Sequence, residues 1–177
     1  MLFRSPEMEM KRAFAAVKAG GRRGIAGAFP SSAYGQAQQA AFRQQASAAG
    51  YPPTAVYTFN GPAEVQQIVD QALPQIQRGM IYTLFLPDRA TAPAFAAALA
   101  RAGVGPEQVQ IVGSADWEGD STILATPALA GAIYPAVDPA GMAAIRAEYQ
   151  MRFNSAPHAL TTQIGRASCR ERVCQYV

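Results

Sequence analysis

Met80-Ile81-Tyr82-Thr83-Leu84-Phe85-Leu86 is a near-continuous apolar run with β-branched and aromatic members, closed by Pro87. A strand with one wet face alternates polar and apolar side chains, whereas a run of this kind marks a strand covered on both faces. Upstream, Asn60-Gly61-Pro62 turns the chain into a predicted helix over Ala63 to Gln77, with Val65, Ile68, Val69, Ala72 and Ile76 on one face. Pro74 is expected to kink or shorten that helix. Downstream, Thr91 to Ala102 reads as an alanine-rich helix closed by Gly103.

The alternation continues outward. Ile25–Phe29, Thr54–Phe59, Val109–Val112 and Gly131–Tyr134 read as strands. Glu7–Ala19 reads as a helix entered through Pro6 and stopped by Gly20-Gly21. Ser31 or Ser32 caps the next one, which runs to about Ala49 and ends at Gly50. A last helix is expected over Pro139–Phe153, with Met142, Ile145, Tyr149 and Phe153 near helical spacing. Strands alternating with helices predict an α/β three-layer sandwich around a mostly parallel sheet. Ligands of such sheets bind beyond the carboxyl ends of the strands. That rule selects the loops Pro30–Gly35, Pro87–Thr91 and Gly113–Asp120.

The two termini read differently from the rest. Gln163-Ile164-Gly165-Arg166-Ala167-Ser168-Cys169-Arg170-Glu171-Arg172-Val173 resembles the translated read-through of a short-read sequencing adapter, and Leu2-Phe3-Arg4-Ser5 resembles its opposite strand. Residues 1–5 and 163–177 are therefore expected to be artefactual, the latter disordered, around a native segment of about 6–162, itself an internal piece of a longer protein. Arg4, Arg166, Arg170, Arg172 and Glu171 account for the whole excess of 15 basic over 12 acidic residues. The remainder is neutral, which argues against a nucleic-acid or membrane-surface footprint. Cys169 and Cys174, the only cysteines, also lie in that tail, so neither a disulfide framework nor a zinc site is expected. No apolar run approaches the roughly 18 residues of a membrane span.

Catalytic and cofactor signatures are missing from the sequence. No Gly-x-Ser-x-Gly elbow or Walker-type loop occurs, and Gly20, Gly21, Gly24 and Gly27 precede a strand rather than follow one. No cofactor is expected. The lone His158 has no partner for metal binding or proton transfer and reads as a surface residue. Asp116, Glu118 and Asp120 alternate like the start of a calcium loop, but Ser121 and Pro127 stand where that loop needs Gly and Glu. They read instead as a solvated acidic loop, or as one carboxylate facing a ligand's ammonium or donor group.

Tyr34, at a helix entry, suits either plain packing or a ligand wall built from its hydroxyl and ring face. Asp88 can favour the start of the following helix through the macrodipole. Trp117, the only tryptophan, sits in a loop between acids and is expected to serve as a ligand platform or interface anchor rather than a deep core residue.

Four stretches together resemble the second lobe of the type I periplasmic-binding-protein fold, of the leucine-binding-protein-like family. They are Gly24-Ile25-Ala26-Gly27-Ala28-Phe29-Pro30-Ser31-Ser32-Ala33-Tyr34-Gly35-Gln36, Leu84-Phe85-Leu86-Pro87-Asp88, Gln110-Ile111-Val112-Gly113-Ser114-Ala115-Asp116-Trp117, and Ala130 to Pro139 with the helix after it. The Gly113-x-x-x-Trp117 turn resembles the branch called penicillin-binding protein activators. The resemblance implies one non-catalytic lobe of a two-lobed periplasmic protein that closes over a small solute such as an amino acid and serves an ABC importer. By position, Tyr34, Asp88 and Asp116 would face the cleft. The activator branch implies instead an envelope lipoprotein that regulates peptidoglycan synthases. An α/β enzyme whose catalytic residues lie outside this chain is a third expectation.

A complete gene from the same source should depart from this sequence near Thr162; sequencing it tests the reading of the tail. A gene that continues through Ile164-Gly165-Arg166-Ala167-Ser168-Cys169 would contradict it.

Overall fold

The structure is a computed structural model and describes residues 6–21, 23–136, 151 and 174–176. Its elements run α1 (Pro6–Ala19), β1 (Ile25–Pro30), α2 (Ala33–Ala49), β2 (Ala55–Phe59), α3 (Val65–Gln77), β3 (Thr83–Phe85), α4 (Ala92–Arg101), β4 (Gln110–Val112), α5 (Ser121–Leu124), β5 (Ile133–Pro135) and β6 (Cys174–Tyr176). Short 3-10 turns cover Pro62–Glu64, Ala115–Trp117 and Pro127–Leu129.

The strands form one sheet in the order β2-β1-β3-β4-β5-β6. The first five run parallel, with Ala26 opposite Ala55 and Leu84, and Leu84 opposite Ile111. The chain leaves β1 for the sheet's edge at β2, then returns to the other side of β1 as β3. This reversal makes the β1/β3 boundary the topological switch point of a doubly wound sheet.

Each face of the sheet carries its own core. Side chains alternate along a strand, so Ile25, Phe29, Phe85, Val112 and Ile133 pack under α1 and α2. Ala26, Ala28, Leu84, Leu86, Ile111 and Tyr134 pack under α3, α4 and the segment that follows β4. The α1/α2 face is held by a cluster of rings. Phe42 lies 5.7 Å from Phe14, 5.3 Å from Phe29 and 4.9 Å from Phe85. Ser32 caps α2 by accepting from the Gly35 amide, and Gly50, at φ 74°, closes the helix in the left-handed conformation that glycine adopts without strain.

The α/β sandwich with a mostly parallel sheet matches the sequence reading, and several boundaries differ. Only Thr83–Phe85 of the predicted Met80–Leu86 strand is ladder-paired. Met80 and Tyr82 are exposed, so the apolar run extends beyond the covered part of the sheet. Pro74 does not end α3, which continues to Gln77; its missing amide removes only the bond to the Asp70 carbonyl one turn back. The fifth strand begins two residues late because Gly131, at φ 84°, is a turn residue.

Disorder was expected throughout 163–177, yet Cys174–Tyr176 pair antiparallel with β5. The outer side of β5 is an open ladder, and a short extended segment can satisfy it whatever its origin. Residues 163–173, His158 and most of the predicted Pro139–Phe153 helix lie outside the described residues; Met151 is helical and exposed.

Phe42 is fully buried and touches three other rings. Phe42→Ala should lower unfolding free energy by about 3–5 kcal/mol, read from urea denaturation. A loss below about 1 kcal/mol would mean that this ring cluster does not form.

Candidate functional site

The loops after β1, β3 and β4 meet at the carboxyl edge of the sheet, beside the switch point, and a line of hydrogen bonds joins them. Gln38 Nε2 donates to the Tyr34 hydroxyl at 3.3 Å. That hydroxyl donates to Ser114 Oγ at 3.3 Å. Ser114 in turn donates to the Pro87 carbonyl at 2.7 Å. Tyr34 and Gln38 are spaced one helical turn apart on α2, so they share a face. Ser114 follows β4 and Pro87 follows β3. Each bond contributes only about 0.5–1.5 kcal/mol net, but bonds in series polarise one another, and buried ones are costly to break singly.

Tyr34 is partly exposed at 39 %, whereas Gln38 and Ser114 are buried at 2 % and 4 %. Burial pushes the Tyr34 phenol well above the ordinary tyrosine range, the bond to Ser114 opposes this, and the neighbouring Asp116 carboxylate adds to the rise. Asp116 itself is exposed, with its amide donating to Ser114 Oγ at 3.3 Å. The edge thus presents an aromatic ring and a carboxylate side by side.

Asp88 lies on the same edge but is engaged locally. Its Oδ2 accepts from the Thr91 hydroxyl at 2.6 Å and its carbonyl from the Ala92 amide at 3.0 Å, which starts α4. The Asp88 carboxylate thus meets the Thr91 hydroxyl rather than the first amides of α4. Asp120 caps α5 through the amides of Thr122 and Ile123 and lies 3.8 Å from Arg89. With Arg89 61 % exposed, that pair contributes little. A separate network ties β1 to β2: Ser31 Oγ donates to Asn60 Oδ1 at 2.7 Å, and Glu64 accepts from the Asn60 amide and side chain.

Trp117 corrects the sequence expectation. It is fully buried, the largest of the completely enclosed side chains, and is no platform on the edge. The 3-10 turn over Ala115–Trp117 carries the indole under the loop, 6.5 Å from the Tyr134 ring. Gly113 makes room for it, since a Cβ there would collide with the indole. The acids on either side are exposed, which is why the local sequence looked like a wet loop.

Three pockets bear on where a solute could sit, one of them a space of about 270 Å³ over β2 and α3 lined by Tyr57, Glu64, Gln67 and Gln71. Beneath the relay, Glu9, Gln38, Phe85 and Ser114 line a space of about 10 Å³, room for no more than a water. A pocket of about 250 Å³ opens at the opposite edge, between α4 and the Pro127–Leu129 turn, but no polar side chain lines it to orient a ligand. Among the described residues, no cluster of three or more His, Cys, Asp or Glu could hold a metal ion. None of their helices is long and apolar enough to cross a membrane.

No family model and no curated protein matches the chain. Solved structures do. A putative branched-chain amino acid ABC transporter protein from Rhodospirillum rubrum is 15% identical, with a TM-score of 0.63 over 89% of this chain and 45% of that one. A solute binding protein of an ABC transporter from Rhodopseudomonas palustris BisB5, solved with 3,4-dihydroxybenzoic acid, is 17% identical, with a TM-score of 0.58 over 86% and 43%. A LacI-family transcriptional regulator from Silicibacter pomeroyi is 14% identical, with a TM-score of 0.60 over 87% and 47%. The chain therefore has the fold of one lobe of the periplasmic-binding-protein/LacI type, and it spans just under half the length of these proteins.

Because Trp117 is the only tryptophan, its fluorescence isolates this turn. Emission should be blue-shifted and resist quenching by iodide until the protein unfolds. Ready quenching of the native protein would return Trp117 to the surface.

Proposed function

We propose that this chain is a ligand-binding lobe of a substrate-binding protein serving an ABC importer, with a small solute such as an amino acid as its ligand. The observation that carries this reading is the pairing of the partly exposed Tyr34 with the exposed Asp116 carboxylate at the carboxyl edge, beside the β1/β3 switch point. Tyr34 supplies an apolar and π surface, and Asp116 an acceptor for an ammonium or hydroxyl group. Asp88 contributes by fixing the start of α4, and Trp117 by supporting the Asp116 loop from below. The two named solved proteins of ABC transporters support the choice of ligand class through shared fold. The parent would be periplasmic, would bind by hinge closure against a second lobe, and would dock on the importer's membrane components.

A second reading rests on the Gly113-x-x-x-Trp117 turn, in which the indole packs over Gly113. In that reading the parent is a penicillin-binding protein activator-like lipoprotein, and the partner of the same edge is a peptidoglycan synthase.

Isothermal titration of the 177-residue chain with L-leucine and with 3,4-dihydroxybenzoate separates these readings. The solute reading predicts saturable binding of at least one probe, weakened about tenfold or more when Tyr34→Ala and Asp116→Ala are combined. Saturable binding unaffected by the double variant would remove the site from this edge. No binding of either probe, together with capture of a purified peptidoglycan synthase, would favour the activator.

A further inference from the structure

We infer that Ser114 and Gln38 are positioning residues for Tyr34, holding its hydroxyl so that the ring is presented to a solute. The inference rests on the proposed solute site and adds two residues and a mode of contact to it. The Tyr34 hydroxyl donates to Ser114 Oγ and accepts from Gln38, with the Asp116 carboxylate beside it as a further acceptor, so its one proton stays within the protein. Ser114 is saturated in turn. Its proton goes to the Pro87 carbonyl, and its oxygen accepts from Tyr34 and the Asp116 amide. Neither hydroxyl of the relay keeps a proton for a ligand.

A surface tyrosine ordinarily buries its ring and keeps the hydroxyl in water. Here both groups that bond the hydroxyl are buried while the residue as a whole is 39 % exposed. Ser114 is held from two sides, by the β3 loop through Pro87 and by its own loop through Asp116. It therefore sets the ring's position relative to the Asp116 carboxylate. The ring selects a flat, apolar or cationic group on the solute.

L-leucine affinity of the full chain, measured across a mutant cycle, tests the relay. Ser114→Ala should weaken binding about fivefold, the equivalent of one hydrogen bond, when Tyr34 is present. The same change should have no effect in a Tyr34→Ala background, and Ser114→Thr, which retains the hydroxyl, should restore affinity. Equal weakening in both backgrounds would overturn the inference, because Ser114 would then act independently of the ring. If the wild-type chain does not bind L-leucine, the solute reading fails for that probe, and ring-labelled tyrosine NMR decides the positioning role alone. Tyr34 ring signals should be those of a single fixed position in the wild type and in Ser114→Thr, and should broaden or average in Ser114→Ala. Ring signals that Ser114→Ala leaves unchanged would overturn it.

Discussion

The central strands of this sheet have no wet face. β1, β3 and β4 are covered by α1 and α2 on one side and by α3, α4 and the Ala115–Trp117 turn on the other. Polar side chains placed along those strands would have to be desolvated, at a cost of about 1–3 kcal/mol each if left unpaired. Chemistry is thereby pushed to the ends of the strands. At the amino-end pocket the lining side chains are all apolar, while the carboxyl end gathers Tyr34, Asp88, Ser114 and Asp116. Winding direction then selects one place along the carboxyl edge. The reversal between β1 and β3 separates the helices on opposite faces and leaves the loops after β1 and β3 beside one another.

The hydrogen-bonded line from Gln38 to Pro87 converts this geometric opening into a defined surface. It joins residues 80 positions apart in the chain, so it forms only when the sheet is assembled in register. Trp117 works from the other side. Its indole fills the space above Gly113 and stiffens the loop that carries Asp116. The ring of Tyr34 and the carboxylate of Asp116 are thus both mounted on packed supports, which reduces the ordering cost of binding.

The layers were legible in the sequence because their signals are local. The apolar run ending at Pro87, the spacing of Val65, Ile68, Val69, Ala72 and Ile76, and the serine and glycine at the two ends of α2 each report on a few neighbouring residues. The loops that form the edge followed from the alternation of strands and helices. The relay was less accessible. Tyr34 and Gln38 carry a readable helical spacing, but nothing local points to Ser114, whose partners come from two other loops. Trp117 misled because its acidic neighbours reach water while the turn carries the indole inward, a distinction that Gly113 signals only once the indole is known to lie over it. The pairing of β5 with Cys174–Tyr176 depends on an open strand edge and left no mark in the tail's composition.

The most direct test of the carboxyl edge as the working surface is amide chemical-shift mapping of the chain as L-leucine is added to saturation. The account predicts that the largest changes fall on Tyr34, Ser114 and Asp116. Changes centred on Leu99, Val104 and Leu129, around the apolar pocket at the opposite edge, would contradict it.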